Sequence, residues 1–305
     1  VLAIILGLVS AAAYGASDFV AGLSARFVHY AAIALLTQIV AATASLVIAF
    51  IAPGTSDLSA WAWGALSGLG SGLGTIALYR GLATGQMNVV APISAAVAAV
   101  IPVAVGLASG ERPSLVVLGG IAVLLPAIAL ISTTGPADPE PPTPAAEPTP
   151  GGSGEVAVRV RRLRAGALDG VLAGIGFGAL FVALSQASDT SGMWPSAAGQ
   201  LAALLTIAVY AALTIGLAGA VSMLRDSARG PRLGAIAAGV GSAVAIVAYL
   251  IASRHGFLVV VSVLTSLYPA GTVLLARLVL HERASRLQGA GLALAACGVA
   301  LVAAG

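Results

Sequence analysis

The sequence predicts an all-α integral membrane protein with ten transmembrane helices arranged as two inverted five-helix repeats. Three observations carry this expectation. Hydrophobic residues make up 59% of the 305 residues and charged residues only 8%. Soluble domains carry about 25% charged residues, so this chain has too little polar surface to face water. Ten apolar runs come close to the roughly 20 residues a helix needs to cross a bilayer. They are 2–24, 30–51, 60–82, 88–109, 114–133, 166–187, 195–221, 232–252, 257–279 and 287–304. Finally, residues 1–134 and 172–305 superimpose with one ungapped offset of 171. It sets Asp18 on Asp189, Glu111 on Glu282, Arg112 on Arg283, Gly68 on Gly239 and Ser71 on Ser242. Charged matches carry weight in a chain with so few charges. Five spans per copy is an odd number, so the second copy inserts upside down. Backbone groups in hydrocarbon must bond within their own segment, and runs this long are helices rather than barrel strands.

The first run has no basic segment before it and is too long for a signal-peptide core, so it reads as a span. Its Ser10, Tyr14, Ser17 and Asp18 recur at i, i+4, i+7 and i+8 and form one stripe. Span 3 carries Ser71, Thr75 and Tyr79 on one face. Its Gly68-x-Gly70-x-Gly72-x-Gly74 series lies in apolar surroundings, with no preceding strand and no lysine. That context favours close helix packing over a phosphate-binding loop. Span 4 offers Asn88, Pro92 and Ser94, while span 5 has no polar side chain between Leu115 and Ile131. Before span 5 stands Glu111-Arg112-Pro113-Ser114, repeated before span 10 as Glu282-Arg283-Ala284-Ser285. Ser114 and Ser285 suit the N-cap positions of the helices that follow.

Residues 135–164 hold seven of the fifteen prolines together with Gly151–Gly154, a composition that favours an extended, flexible linker over a packed core. The expected organisation is a first repeat at 1–134, a linker at 135–164 and a second repeat at 165–305. In the second repeat, span 6 carries Ser185, Gln186 and Asp189, and span 8 carries Ser242, Tyr249 and Ser253. Span 9 has Ser262, Thr265, Ser266 and Pro269 on one face, and span 10 after Gln288 has only Cys297. Polar side chains inside spans usually face the bundle interior. Spans 1, 3, 4, 6, 8 and 9 are therefore expected to line a central cavity. Spans 5 and 10 are expected to face lipid or a second copy in a homodimer.

All fourteen basic residues are arginine. Twelve lie in the linker or in loops after odd-numbered spans, and only Arg112 and Arg254 follow even-numbered ones. The positive-inside rule then places the linker and the odd loops in the cytoplasm and both termini outside. The same rule accounts for the pI of 9.4 without a nucleic-acid partner. A single cysteine, Cys297, excludes an intramolecular disulfide. His29, His255 and His281 lack metal-site spacing. No nucleophile–base set or carboxylate pair in polar surroundings is present, so no catalytic residues, metal or cofactor are expected.

Several segments then acquire meaning together: Gly15-Ala16-Ser17-Asp18-Phe19 in span 1, Leu78-Tyr79-Arg80-Gly81-Leu82-Ala83 closing span 3, Val89-Val90-Ala91-Pro92-Ile93 opening span 4, and the two Glu-Arg-x-Ser turns. With these, the chain resembles ten-helix members of the EamA family in the drug/metabolite transporter superfamily. The resemblance covers both repeats. It implies a multi-pass protein of the cell membrane that exports or exchanges small metabolites, amino acids or drug-like compounds through a cavity between the repeats. It also implies cytoplasmic termini, opposite to the arginine count.

On this reading the cavity candidates are Tyr14, Asp18, Tyr79, Ser185, Gln186, Tyr249, Thr265 and Tyr268. Tyrosines offer an apolar face with a hydroxyl handle, and the near absence of buried basic residues disfavours a strongly anionic substrate. Asp18 and Asp189 are gate or coupling candidates for a cationic group or a proton, with helix-end capping as the plainer alternative. Pro92 and Pro269 are hinge candidates, since each removes a helical hydrogen bond. The competing functions are a membrane sensor or assembly subunit, which needs no cavity, and a channel, which needs a continuous polar path.

Overall fold

The computed structural model describes residues 1–83, 87–132, 153–280 and 285–305. Its regular structure, among those residues, is helical. The elements are α1 (Leu2–Ser24), α2 (Tyr30–Ile51), α3 (Leu58–Ala83), α4 (Met87–Ala108), α5 (Leu115–Ile131), α6 (Ser153–Ser185), α7 (Trp194–Thr214), α8 (Leu217–Asp226), α9 (Arg229–His255), α10 (Leu258–Thr265), α11 (Tyr268–Val279) and α12 (Arg286–Ala304). Eight of the described helical segments are long and apolar enough to span a membrane, with α10 and α11 counted together as Leu258–Val279. The chain is a multi-pass membrane protein.

Helix starts follow local chemistry. Ser114 accepts from the Val117 N–H, and Ser285 forms a reciprocal capping box with Gln288, as expected of the two Glu-Arg-x-Ser turns. Asp57 accepts from the Ala60 N–H at 2.7 Å at the start of α3.

Three boundaries differ from the expected spans. The seventh run stops at Thr214, where Gly216 turns the chain with φ of 72°, a left-handed conformation that favours glycine. The remainder forms the short amphipathic α8. Its Leu217 and Val221 are exposed beside Ser222, Arg225 and Asp226, while Ala220 is buried against the bundle. The ninth run is broken between α10 and α11. Pro269 lies in the first turn of α11 and has no N–H to reach back four residues to Thr265. The ladder is closed instead by tighter bonds from Leu267 N–H to the Leu264 carbonyl and from Ala270 N–H to the Leu267 carbonyl. Last, α6 begins at Ser153, so the end of the expected linker is helical; its proline-rich part lies outside the described residues.

The two repeats run in opposite directions. Ser10 donates to the Ala245 carbonyl and Ser17 to the Ala238 carbonyl, so the partner retreats along α9 as α1 advances. Gly70 abuts Gly176 and Gly74 abuts Ala173, the same antiparallel relation between α3 and α6. Repeats inserted the same way would make both pairs parallel. The pairing is also swapped as a twofold axis requires, since α1 and α3 of the first repeat correspond to α6 and α9 of the second.

Small residues set these contacts. Along α3, a Cβ on Gly68 or Gly72 would collide with Gly199 or Thr206 of α7, and one on Gly70 or Gly74 would meet Gly176 or Ala173 of α6. The alternating glycines therefore serve two neighbours at i, i+4 spacing each, in line with the packing role expected of them. The α5 and α12 helices lean on each other through Gly120 and Gly298 and, with α4 and α10, enclose an apolar core around Leu124, Ile128, Val263 and Leu264.

Candidate functional site

A cavity of about 150 Å³ lies between the repeats, walled by α1, α2, α3, α6, α7, α9 and α11. On α1 it touches Tyr14 to Ala21 and on α2 Ala34 to Gln38, both near the α1–α2 connection. On α6 it touches Phe177 to Phe181 and on α7 Gly199 and Gln200, nearer the other end, so the cavity lies at mid-bundle.

Eleven of the twenty-one described residues on the wall carry a polar side chain. Asp18 is exposed into the cavity and is the only charged side chain among the described residues that line it. It forms no ion pair or hydrogen bond with another described residue, and it lies near enough to Tyr14 and Tyr268 to act on both electrostatically. Many neighbouring hydroxyls are spent on backbone: Ser17 on Ala238, Thr37 on Ala235 and Ser67 on Gly64. This satisfies them within the bundle, the usual fate of Ser and Thr in membrane helices. Gln38 of α2 donates to both the backbone and side-chain oxygens of Gln200 of α7, joining two helices across the cavity wall. Phe177 and Phe181 complete the apolar side.

Below the cavity the bundle is packed solid. Leu184, Tyr249 and Leu250 are fully buried and packed with Phe181 and Val261. The Tyr249 hydroxyl donates to the Phe181 carbonyl at 2.8 Å and lies 3.3 Å from the Ser262 hydroxyl. Tyr249 is therefore a positioning residue beneath Phe181, whose ring centroid is 4.7 Å away. Tyr249→Phe is expected to lower stability by about 1 kcal/mol, read as a fall in Tm in detergent; an unchanged Tm would show that the bond contributes nothing.

The same end is tied from outside. The Glu111 carboxylate accepts from the Leu258 N–H at 2.6 Å and the Val259 N–H at 2.9 Å, so the loop after α4 caps the start of α10. A negative group is favoured there by the helix dipole and by the unpaired N–H groups of the first turn. Arg254 donates to the Ser188 and Gly192 carbonyls and lies 3.5 Å from Asp189. The Thr55 N–H bonds the Thr190 carbonyl at 2.9 Å. At the opposite end Arg80 pairs with the buried Asp169, its Nε 2.9 Å from the carboxylate, linking α3 to α6.

Of the residues singled out from the sequence, Tyr14, Asp18 and Tyr268 meet in the cavity. Tyr249 and Thr265 are fully buried and do not line it. Ser185 bonds its own helix at Val182, and Gln186 is exposed at the end of α6. Asp189 is 80% exposed in a 3-10 turn beside Arg254, away from the cavity. The Tyr79 side chain lies outside the described residues. Pro92 lies within the unbroken α4, whereas Pro269 lies at the break before α11. Spans 5 and 10 stay off the cavity as expected, but spans 2 and 7 line it and span 4 does not. Gln38 and Gln200 were the available signal, because an amide inside a span needs a partner. Asp169, a lone acid inside span 6, was the corresponding signal for the Arg80 pair.

Residues 164–304 match the model of the EamA-like transporter family. That match covers the second repeat of the chain. The helix pairing relates the first half of the chain to the second as an inverted arrangement. A crystal structure of another protein superimposes on it with a TM-score of 0.68 at 16% identity, covering 98% of this chain and 96% of that one. At that identity the likeness concerns the fold alone. Among curated proteins, none matches this chain in sequence.

Proposed function

We propose that the protein is a secondary transporter that moves a small molecule by alternating access. The observation that carries this reading is one cavity between inverted repeats, with a packed and tied layer beneath it. Inverted repeats supply two equivalent half-gates, and rocking one repeat on the other exposes the same site to each side in turn. A channel would need a continuous polar path, and the layer of Leu184, Tyr249 and Val261 interrupts it. A sensor or assembly subunit has no need of a cavity with an unpaired charge.

On this reading the cavity opens toward the end that holds the linker and most arginines, which the positive-inside rule assigns to the cytoplasm, and net movement is export or exchange across the cell membrane. In a background lacking Cys297, a cysteine at Ser56 is expected to react with an impermeant thiol reagent in intact cells, and one at Ser222 only after permeabilisation. The reverse pattern would invert the orientation. Saturable counterflow in proteoliposomes, abolished by cross-linking the two repeats, is the expected sign of a carrier. Flux that never saturates would indicate a pore, and no flux of any compound would leave the sensor reading standing.

A further inference from the structure

Resting on the transporter reading, we propose that the site selects a substrate with one positive charge beside a small apolar or aromatic body: an arylalkyl amine or quaternary ammonium, held with its nitrogen against Asp18. Four features of the cavity argue for this class.

The first is charge. Asp18 is the one charged group on the described wall and has no cation facing it. The two arginines of known partnership nearest the ends of the bundle are engaged elsewhere, Arg80 with Asp169 and Arg254 with Asp189 and backbone carbonyls. A carboxylate held in a largely apolar bundle is costly unless paired, so a cationic ligand gains most of what the site has to give. An anion meets only repulsion. A zwitterion brings a carboxylate for which the described wall has no basic partner.

The second is shape. A volume of about 150 Å³ is of the size that holds one benzene-like ring, not a sugar phosphate or a nucleotide. The third is the wall opposite the charge. Tyr14 stands one helical turn before Asp18 on α1, Tyr268 approaches from the broken span, and Phe177 and Phe181 face in from α6. Aromatic faces attract ammonium groups and accept apolar bodies with equal ease. The fourth is unspent hydrogen-bonding capacity. The hydroxyls of Tyr14, Tyr268, Ser71, Thr75 and Ser242 reach the cavity without a hydrogen-bond partner among the described residues. These can accept from an ammonium N–H that Asp18 leaves over.

The test uses purified full-length protein, first in detergent and then in proteoliposomes. The probes are 2-phenylethylamine and benzyltrimethylammonium, with 3-phenylpropionate and 2-phenylethanol as ring-matched anion and neutral compound. The amines are expected to raise Tm and to exchange in counterflow, and the acid and the alcohol to do neither. Asp18→Asn is expected to weaken amine binding at least tenfold. Because that variant removes a charge from the bundle and can alter folding, Tyr268→Leu provides a second reading, with a loss of about tenfold for the amines and no gain for the acid. Equal stabilisation by acid or alcohol, no stabilisation by either amine, or full amine affinity in Asp18→Asn would each overturn the assignment. So would an Asp18→Asn protein that binds amines normally but no longer moves protons, since the carboxylate would then be a proton carrier. If the acid or alcohol exchanges while the amines do not, the carrier reading survives and the cation assignment falls. If nothing exchanges, the carrier reading falls first.

Discussion

Gly68→Ala is expected to destabilise the protein by about 3 kcal/mol, a single added carbon producing a large fall in Tm in detergent. A Cβ at this position would lie 2.0 Å from the Gly199 carbonyl oxygen, 2.7 Å from its carbon and 2.8 Å from the Ala202 Cβ. None of these atoms can rotate aside, because two belong to the backbone of α7 and the third is fixed to it. The only relief is to separate α3 from α7, and both helices wall the cavity. Transport is therefore expected to fall together with stability. Gly119→Ala on the outer face of α5, where an added Cβ meets nothing within 4 Å, is the matched control. It is expected to be neutral or to gain roughly 0.5 kcal/mol from reduced backbone freedom. Equal Tm values for the two variants would show that α3 and α7 do not approach this closely.

Glu111→Ala is expected to favour opening of the sealed end by about 3 kcal/mol, which is roughly a hundredfold in the balance between states. The carboxylate takes two backbone N–H groups at the start of α10, and Leu258 and Val259 are both buried. Removing it leaves two buried donors without an acceptor and removes a negative charge from a helix N-terminus, where it is favoured. The measurement is labelling of a cysteine at Ser262, fully buried in the parent, by an impermeant reagent applied from the sealed side. Faster labelling at unchanged overall Tm would mark Glu111 as a clamp on one conformation. A lower Tm with no change in labelling would reduce it to a structural cap.

Glu111 also shows where local reading stops. Its turn was legible as punctuation between helices, and Ser114 does cap α5. Nothing within the turn itself indicated that its glutamate reaches a helix of the other repeat, well over a hundred residues away in sequence. Tyr249 gives the converse lesson. Its place on a polar stripe marked it for the interior, and it is interior, but beneath the cavity rather than on its wall. Periodicity reports which face of a helix turns inward, not how far inward the neighbours have filled. The glycines of α3 were read correctly as packing residues because their spacing is itself the contact pattern.

The sequence by itself determined the membrane class, the approximate helix positions, the inverted duplication and the place of Asp18 inside a span. These follow from hydropathy, repeat spacing and the rarity of charge in a span, and each is a property of a segment or of a pair of aligned segments. Only the tertiary structure decided that α2 and α7 wall the cavity through Gln38 and Gln200, that α4 does not, and that Asp18 has aromatic neighbours and no cation beside it among the described residues. Those outcomes depend on how each helix is rotated and how closely its neighbours approach. Glycine and alanine contacts between distant parts of the chain set that geometry, and no single span records it.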